Sequence, residues 1–359
     1  MNRSSLYEAQ KRLNPQWTEF HHWDLPMVFS SADREYEAAK KSVALMDRSY
    51  VGRIKVQGQD SLDLLNRLTT NSLMELKPGM GTSTVLTSNK GRVLEHLIVY
   101  ARDDSLLLLV SPQNRQKAME WIDRYIFTED VTLSDITEET GMLSLFGPRS
   151  AEALKGLSGQ DIQGLLMHHC TKLSVEGIQT LACRAENIAG LGFNLIMDAP
   201  QLEKAWEFFL SKGEGYGIKP MGREAYEILR IEGGIPEYGK ELSEDINPLE
   251  ARLDSSISFT KGCYVGQEVV ARLNTYKKVQ KYLVGIQFDA DSSPQAGEKL
   301  RIEGDEVGYL TSVACPPNGS KVIALGYVRA KHAEPGVKVY ASDGQKERSG
   351  EIVELPFAI

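Results

Sequence analysis

Cysteine is scarce in this chain: four residues in 359, at positions 170, 183, 263 and 315, with no close pair. That spacing offers no disulfide framework and no Cys-x-x-Cys metal or redox motif, so a reducing, cytoplasmic setting is the expectation. Long apolar runs are missing as well. The best of them, Leu106 to Val110, is far too short to cross a bilayer. The opening Met1-Asn2-Arg3-Ser4-Ser5-Leu6-Tyr7-Glu8 lacks the apolar core of a signal peptide, and no membrane partner is expected. Positive charge is not in excess: 41 Lys and Arg face 49 Asp and Glu, for a net charge of -8. That balance argues against a broad nucleic-acid-binding surface, and the basic group Arg272, Lys277, Lys278 and Lys281 reads as a solvated face. Metal-ligand spacing is absent too. His168-His169-Cys170 and His21-His22-Trp23 place histidines side by side, where they rarely converge on one ion, so no metal site is expected. Gly79-Met80-Gly81 lacks the Lys-Ser or Lys-Thr pair of a phosphate cradle.

What is present is an ordinary globular composition, 42% hydrophobic and 25% charged, in a chain long enough for two or three packed units. Residues 33–45 read as a helix with Tyr36, Ala39, Val43 and Leu45 towards a core. Gly52-Arg53-Ile54-Lys55-Val56 alternates as a half-buried strand, and Gly58-Gln59-Asp60 turns the chain into a helical run from Leu62 to Leu68. The pattern recurs at Met142-Leu143-Ser144-Leu145-Phe146, Gly147-Pro148 and a helix that Ser150 caps. This weak internal repeat suggests two α+β layers built alike. A hairpin is expected over 84–100 about Asn89-Lys90-Gly91, a second turn at Asp103-Asp104, helices over 114–126 and 201–212, and a hairpin-like pair within 172–197. Beyond residue 275, short runs at 282–288, 299–303, 306–313, 320–328 and 336–340 are punctuated by Pro and Gly. They predict a small all-β barrel or sandwich, with the boundary at 274–281.

Two segments carry chemistry. In Lys261-Gly262-Cys263-Tyr264-Val265-Gly266-Gln267-Glu268 a cysteine lies between two glycines. Glycine permits a sharp turn and close approach of another molecule, and a cationic neighbour favours the thiolate. A tight turn with a small buried thiol fits the same residues. In the second segment, residues 222–251, a helix over 223–232 ends on Gly233-Gly234. It carries Arg223, Arg230 and Glu232. Arg230 and Glu232, two apart, face different ways and need other partners. An arginine fork can grip a ligand carboxylate in two places, or form a structural ion pair.

The octapeptide resembles the signature Lys-Gly-Cys-Tyr-x-Gly-Gln-Glu of the YgfZ-type folate-binding proteins, relatives of the glycine-cleavage T-protein, an aminomethyltransferase. The second segment resembles the pattern Arg-Asp-x-x-Arg-x-Glu-x-Gly-x-x-x-Tyr-Gly of that superfamily. Arg230, Glu232, Gly234, Tyr238 and Gly239 match it, whereas its opening pair becomes Tyr226-Glu227. The resemblance covers roughly residues 20–355. It implies an α+β, three-subdomain cloverleaf of the aminomethyltransferase type with a C-terminal all-β barrel. The subdomains are 1–52 plus 141–245, 53–140 plus 246–274, and 275–359, and residues 1–274 hold a central opening for tetrahydrofolate.

The resemblance implies roles. Cys263 is the working nucleophile or sulfur/iron contact, and Lys261 lowers its pKa. Gly262, Gly266, Gln267 and Glu268 order the loop. Arg230 and Tyr238 lie on the folate, with Glu232 bracing the site, and Arg223, outside the pattern, stays structural. Two departures stand out: His96 takes the place of a catalytic aspartate, and Asn194 that of a pterin-binding glutamate. A carboxylate only accepts hydrogen bonds when ionised, whereas imidazole also donates. Glu95, adjacent in a strand, faces the other side and cannot substitute. The function so implied is a tetrahydrofolate-binding protein of the YgfZ branch, supporting iron–sulfur protein assembly or maintenance and tRNA modification, with iron–sulfur client or assembly proteins as partners. A folate-dependent aminomethyltransferase or demethylase, and a folate-binding scaffold without chemistry, are the alternatives.

Overall fold

Short apolar stretches flanked by glycine turns pair here into a two-stranded ribbon, a six-stranded sheet, a five-stranded sheet and a closed barrel. The computed structural model describes every residue except 318, 320, 345 and 359. The α+β expectation with a C-terminal barrel holds. By compactness the chain divides in two: residues 1–86 with 96–226, and residues 87–95 with 227–359.

The six-stranded sheet of the first unit runs Cys170–Val175, Ile178–Arg184, Gly192–Asp198, Thr140–Phe146, Val43–Asp47 and Ile218–Pro220. All pairs are antiparallel except the last. Helices Ser150–Ser158 and Leu202–Lys212 cover one face, where Leu45, Leu145, Phe193, Leu173, Leu154 and Trp206 share one core. The five-stranded sheet runs Gly81–Thr87, Val93–Ala101, Leu106–Val110, Gly52–Gln57 and Thr132–Asp135. The expected hairpin turn is there: Ser88 N–H donates to Arg92 O at 3.0 Å, and Gly91 has φ +63°. The repeat is structural as well. Gly58 (φ +116°) and Gly147 (φ +133°) each turn a strand into a helix where a Cβ would strike a backbone carbonyl, Asp130 O at 1.9 Å and Ser42 O at 2.3 Å.

Two local expectations need correction. The helix expected over 33–45 is Ala32–Lys41, and Val43–Asp47 is a strand. All five strand residues are buried, and a run buried on both sides has no period to separate it from a helix. Ser150 is not a cap: Arg149 holds that position, and the Ser150 hydroxyl makes no hydrogen bond among the described residues.

In the second unit the barrel closes in the order Lys281–Asp289, Lys321–Arg329, Asp305–Ala314, Lys299–Ile302, Lys338–Ser342 and Glu347–Val353. Its interior holds Val284, Ile286, Phe288, Leu310, Val339 and Ile352. The run expected from 320 begins at a residue outside those described. The sixth strand, Glu347–Val353, went unread because its half-buried face carries Arg348 and Gly350 beside Ile352, so the alternation with the exposed Glu347, Ser349 and Glu351 is hidden.

Residues 227–274, divided in the sequence reading between the first two subdomains, group with the barrel. Tyr327 OH donates to Glu241 O at 2.9 Å, Leu283 N–H to Glu250 O at 2.8 Å, and Phe357 N–H to Glu232 O at 2.9 Å. No helix among the described residues is long and apolar enough to cross a membrane.

Candidate functional site

Side chains alternate along a strand, so the residues between the core leucines point to the opposite face of the six-stranded sheet. Met46, Ser144, Asn194, Cys183 and Cys170 are successive register partners in one row across it. Ser144 Oγ donates to Asn194 Oδ1 at 2.6 Å, both buried. The amide is thereby oriented, with its NH2 end left to donate.

Several polar groups of the first unit gather electrostatically around Glu186. Arg48 lies over the Tyr226 ring at 5.1 Å and the Phe146 ring at 6.0 Å. Burial opposes its charge, yet the phenols of Tyr226 and Tyr50 and the Glu186 carboxylate raise its pKa. Its Nε has no hydrogen-bond partner among the described residues. Arg223 shares the Tyr226 ring, also at 5.1 Å, and sits 4.1 Å from the Phe20 ring. Where the superfamily pattern has an arginine, this chain has Tyr226, and two guanidinium groups rest on that ring. Cation–π contacts of this kind contribute about 0.5–2 kcal/mol each.

His168, in the left-handed region at φ +59°, leaves its Nδ1 without a partner among the described residues. Burial lowers its pKa, Glu186 opposes that, and His96 adds to it. His96 is half-buried on Val93–Ala101 while Glu95 is 1% exposed, as alternation requires. Burial pushes the His96 imidazole down to about 4. At neutral pH it is uncharged, able to donate from one nitrogen and accept at the other. The imidazole therefore contributes no charge at neutral pH.

Arg230, assigned to folate in the sequence reading, is placed differently. It is 1% exposed. Nε donates to Glu227 Oε2 at 3.2 Å, Nη1 to Ile235 O at 2.8 Å and Glu241 Oε2 at 3.0 Å, and Nη2 to Ser312 Oγ at 2.8 Å and to Glu227 Oε1. A guanidinium has five N–H donors, and these contacts use every one. Burial opposes the charge while Glu241 and Glu227 raise its pKa. This is a structural ion network; a carboxylate ligand would have to displace one of its members. Glu232 is buried at the end of helix Arg223–Glu232, and Tyr238, half-buried, bridges to Leu242.

Cys263 lies at the surface of the second unit. Lys261 is half-buried, its Nζ 5.4 Å from the Tyr264 ring, and burial lowers its pKa to about 8. Gly266 has φ +84°, and a Cβ there would lie 2.5 Å from Ser88 O. Thr87 Oγ1 donates to Val265 O, and Gln267 Nε2 to Gly262 O at 3.4 Å. Glu268 is exposed in the first turn of helix Gln267–Thr275, where a negative charge suits the helix dipole. Gly262 has a Cβ position facing open space, so the loop's own packing does not require glycine there.

Sequence reasoning missed Arg48, His168, Ser144 and Glu186 as site residues. The signals were slight: Arg48 lies outside both segments that carry the resemblance, and Ser144 sits inside an apolar strand. No group of three or more His, Cys, Asp or Glu among the described residues is arranged to hold a metal ion.

The family model GCVT N-terminal domain matches residues 6–261, and the glycine cleavage T-protein C-terminal barrel domain matches residues 281–358. A protein named aminomethyltransferase from Halothermothrix orenii is 29% identical, covering 99% of this chain and 100% of its own length. One of the same name from Geobacillus kaustophilus is 31% identical, covering 99% and 98%. The crystal structure of glycine cleavage system aminomethyltransferase T from Bartonella henselae has the same fold, with TM-score 0.89 over 99% of this chain and 98% of that one, at 21% identity.

Proposed function

Since the chain belongs to the glycine cleavage T-protein family, we propose that it binds tetrahydrofolate on the polar face of its first unit. The observation that carries this reading is the half-buried Arg48, whose buried Nε, like the buried His168 Nδ1, has no hydrogen-bond partner among the described residues, and both groups feel the Glu186 carboxylate. Buried donors and acceptors left open cost about 1–3 kcal/mol each, and a ligand with ring nitrogens and exocyclic polar groups fits them. Asn194 presents an amide to that face, and His96, on the five-stranded sheet and within electrostatic reach of His168, adds a neutral imidazole. Tetrahydrofolate, when bound, supplies the nitrogens that carry a one-carbon unit. The chain's own part is to orient the pterin edge and shield it. Titration with tetrahydrofolate tests this: Arg48→Met and Asn194→Ala should each weaken binding, and Arg230→Ala should not do so selectively. Native protein that fails to bind would sink the proposal.

Two readings of the chemistry follow. The names of the relatives favour folate-dependent aminomethyl transfer. The octapeptide around the exposed Cys263, with a neutral His96 and Asn194 in place of acidic groups, favours a YgfZ-type protein that supports iron–sulfur protein assembly or maintenance. Purified protein given tetrahydrofolate and an aminomethyl-lipoyl donor separates them. Clear production of methylenetetrahydrofolate supports transfer. Binding without turnover, together with a Cys263→Ala variant that keeps folate affinity but fails complementation, supports the other.

A further inference from the structure

The row across the six-stranded sheet ends in two cysteines, Cys170 and Cys183, that no reading of the folate site uses. They are direct register partners on Cys170–Val175 and Ile178–Arg184. Their hydrogen-bonding environment is specific. Cys170 N–H points away from Cys183 and donates to Gly79 O at 2.8 Å, while Arg184 N–H donates to His169 O at 2.8 Å. A bond from the residue after one partner to the residue before the other marks a non-hydrogen-bonded pair, the kind with Cα atoms about 4.5 Å apart and side chains close together. That separation lies within the roughly 4.4–6.8 Å window a disulfide spans. Both thiols are free, 4% and 0% exposed.

We propose that Cys170 and Cys183 are a reversible redox site, closing to a cross-strand disulfide on reaction with hydrogen peroxide and reopening with a dithiol.

The surroundings assign roles to the two thiols. A hydrogen bond from Cys183 favours the Cys170 thiolate, burial opposes it, and the Arg102 charge adds support, for a net lowering of its pKa. Burial drives the Cys183 thiol well up. The thiolate is the nucleophile, so Cys170 attacks first. Access comes from a cavity of about 900 Å3 in the first unit, lined by Cys170, Gly79, Arg102, Lys172, Leu181 and Ile196. The Cys170 sulfur attacks one peroxide oxygen: an S–O bond forms, the O–O bond breaks, and the leaving hydroxide takes a proton to become water. Cys183 sulfur then attacks Cys170 sulfur. An S–S bond forms, the S–O bond breaks, and the hydroxide leaves as water with the Cys183 proton. Two thiols are oxidised and one peroxide is reduced to two waters. A dithiol reverses this by exchange, becoming a disulfide itself. The chain's sequence spacing of these residues hides the pair; only the register brings them opposite. The proposal stands apart from the folate reading, because it concerns the two thiols alone.

The test uses full-length Cys263→Ser/Cys315→Ser protein, which removes the two exposed thiols. After hydrogen peroxide and alkylation under denaturing conditions, the accessible thiol count should fall from two to none, with peptides containing Cys170 and Cys183 linked. Dithiothreitol should restore both thiols. Adding Cys183→Ser should halt the reaction at a sulfenic acid on Cys170 that dimedone traps; adding Cys170→Ser should leave Cys183 at least tenfold slower to react. Circular dichroism of each variant shows whether it has folded, and native protein analysed by peptide mapping gives the same answer without substitutions. Retention of both thiols at peroxide levels that oxidise free cysteine, or links joining separate chains instead, would overturn the proposal.

Discussion

Arg230 is buried and Arg48 half-buried, and the two arginines differ in what satisfies them. Arg230, in the second unit, spends all five donors on Glu227, Glu241, Ser312 and a carbonyl. Arg48, in the first, rests on the faces of Tyr226 and Phe146 and keeps an unpartnered Nε. A saturated guanidinium is a brace that holds its own segment together. One held by ring faces is anchored while its Nε donor stays open among the described residues, so that donor remains for something else. Sequence pattern alone selects the first as the ligand residue, and the geometry favours the second.

The comparison breaks most visibly on stability. Arg230→Ala leaves Glu241, 0% exposed, as an uncompensated buried charge. Removing one partner of such a pair costs about 3–5 kcal/mol, to be read as a shift of the urea unfolding midpoint. If Arg230→Ala unfolds like native protein yet loses tetrahydrofolate binding, the brace and the ligand residue have been interchanged here.

Acid should expose the first unit next. The folded pKa of His96 is about 4, below the ordinary value of about 6.5. Between those values the unfolded chain binds a proton that the folded one refuses. Stability from this group is therefore complete above pH 6.5, declines as pH falls towards 4, and changes no further below that. The loss is on the order of 3 kcal/mol at most. His96→Gln should flatten this part of the pH profile; parallel profiles for variant and native protein would show that His96 titrates normally.

In the second unit, Gly266→Ala introduces a side chain at positive φ against Ser88 O. Strain of that sort costs about 1–3 kcal/mol and should lower the thermal midpoint. Arg48→Met is the milder companion of Arg230→Ala. It should weaken tetrahydrofolate binding about tenfold, or ~1.4 kcal/mol, with a smaller effect on unfolding. Titration calorimetry at constant pH reads this, and an unchanged dissociation constant would remove Arg48 from the site.

The features legible in the sequence were those with local causes. Glycine turns at 58, 91 and 147, the barrel strands and helix Arg223–Glu232 follow from period and punctuation. What escaped depends on contacts distant in sequence. Val43–Asp47 looks helical until its neighbours bury both faces. Arg230 looks like an open fork until Ser312, 82 residues on, takes one of its donors. Arg48 matters only once Tyr226 is beneath it, and Cys170 meets Cys183 only through strand register. Charge and partnership are properties of the assembled unit, whereas turns are properties of the local chain.

Gly262 gives the smallest stability effect and the sharpest contrast with Gly266. It flanks the same exposed cysteine, but no atom lies within 4 Å of its Cβ position and its φ is not positive. Gly262→Ala should therefore shift unfolding by no more than about 0.5 kcal/mol. If glycine is there so that another molecule can approach Cys263, the same substitution should slow labelling by a bulky maleimide while leaving iodoacetamide labelling nearly unchanged. Equal slowing of both reagents would mean that the alanine has altered the loop itself, and no slowing of either would leave Gly262 without a part in access to the thiol.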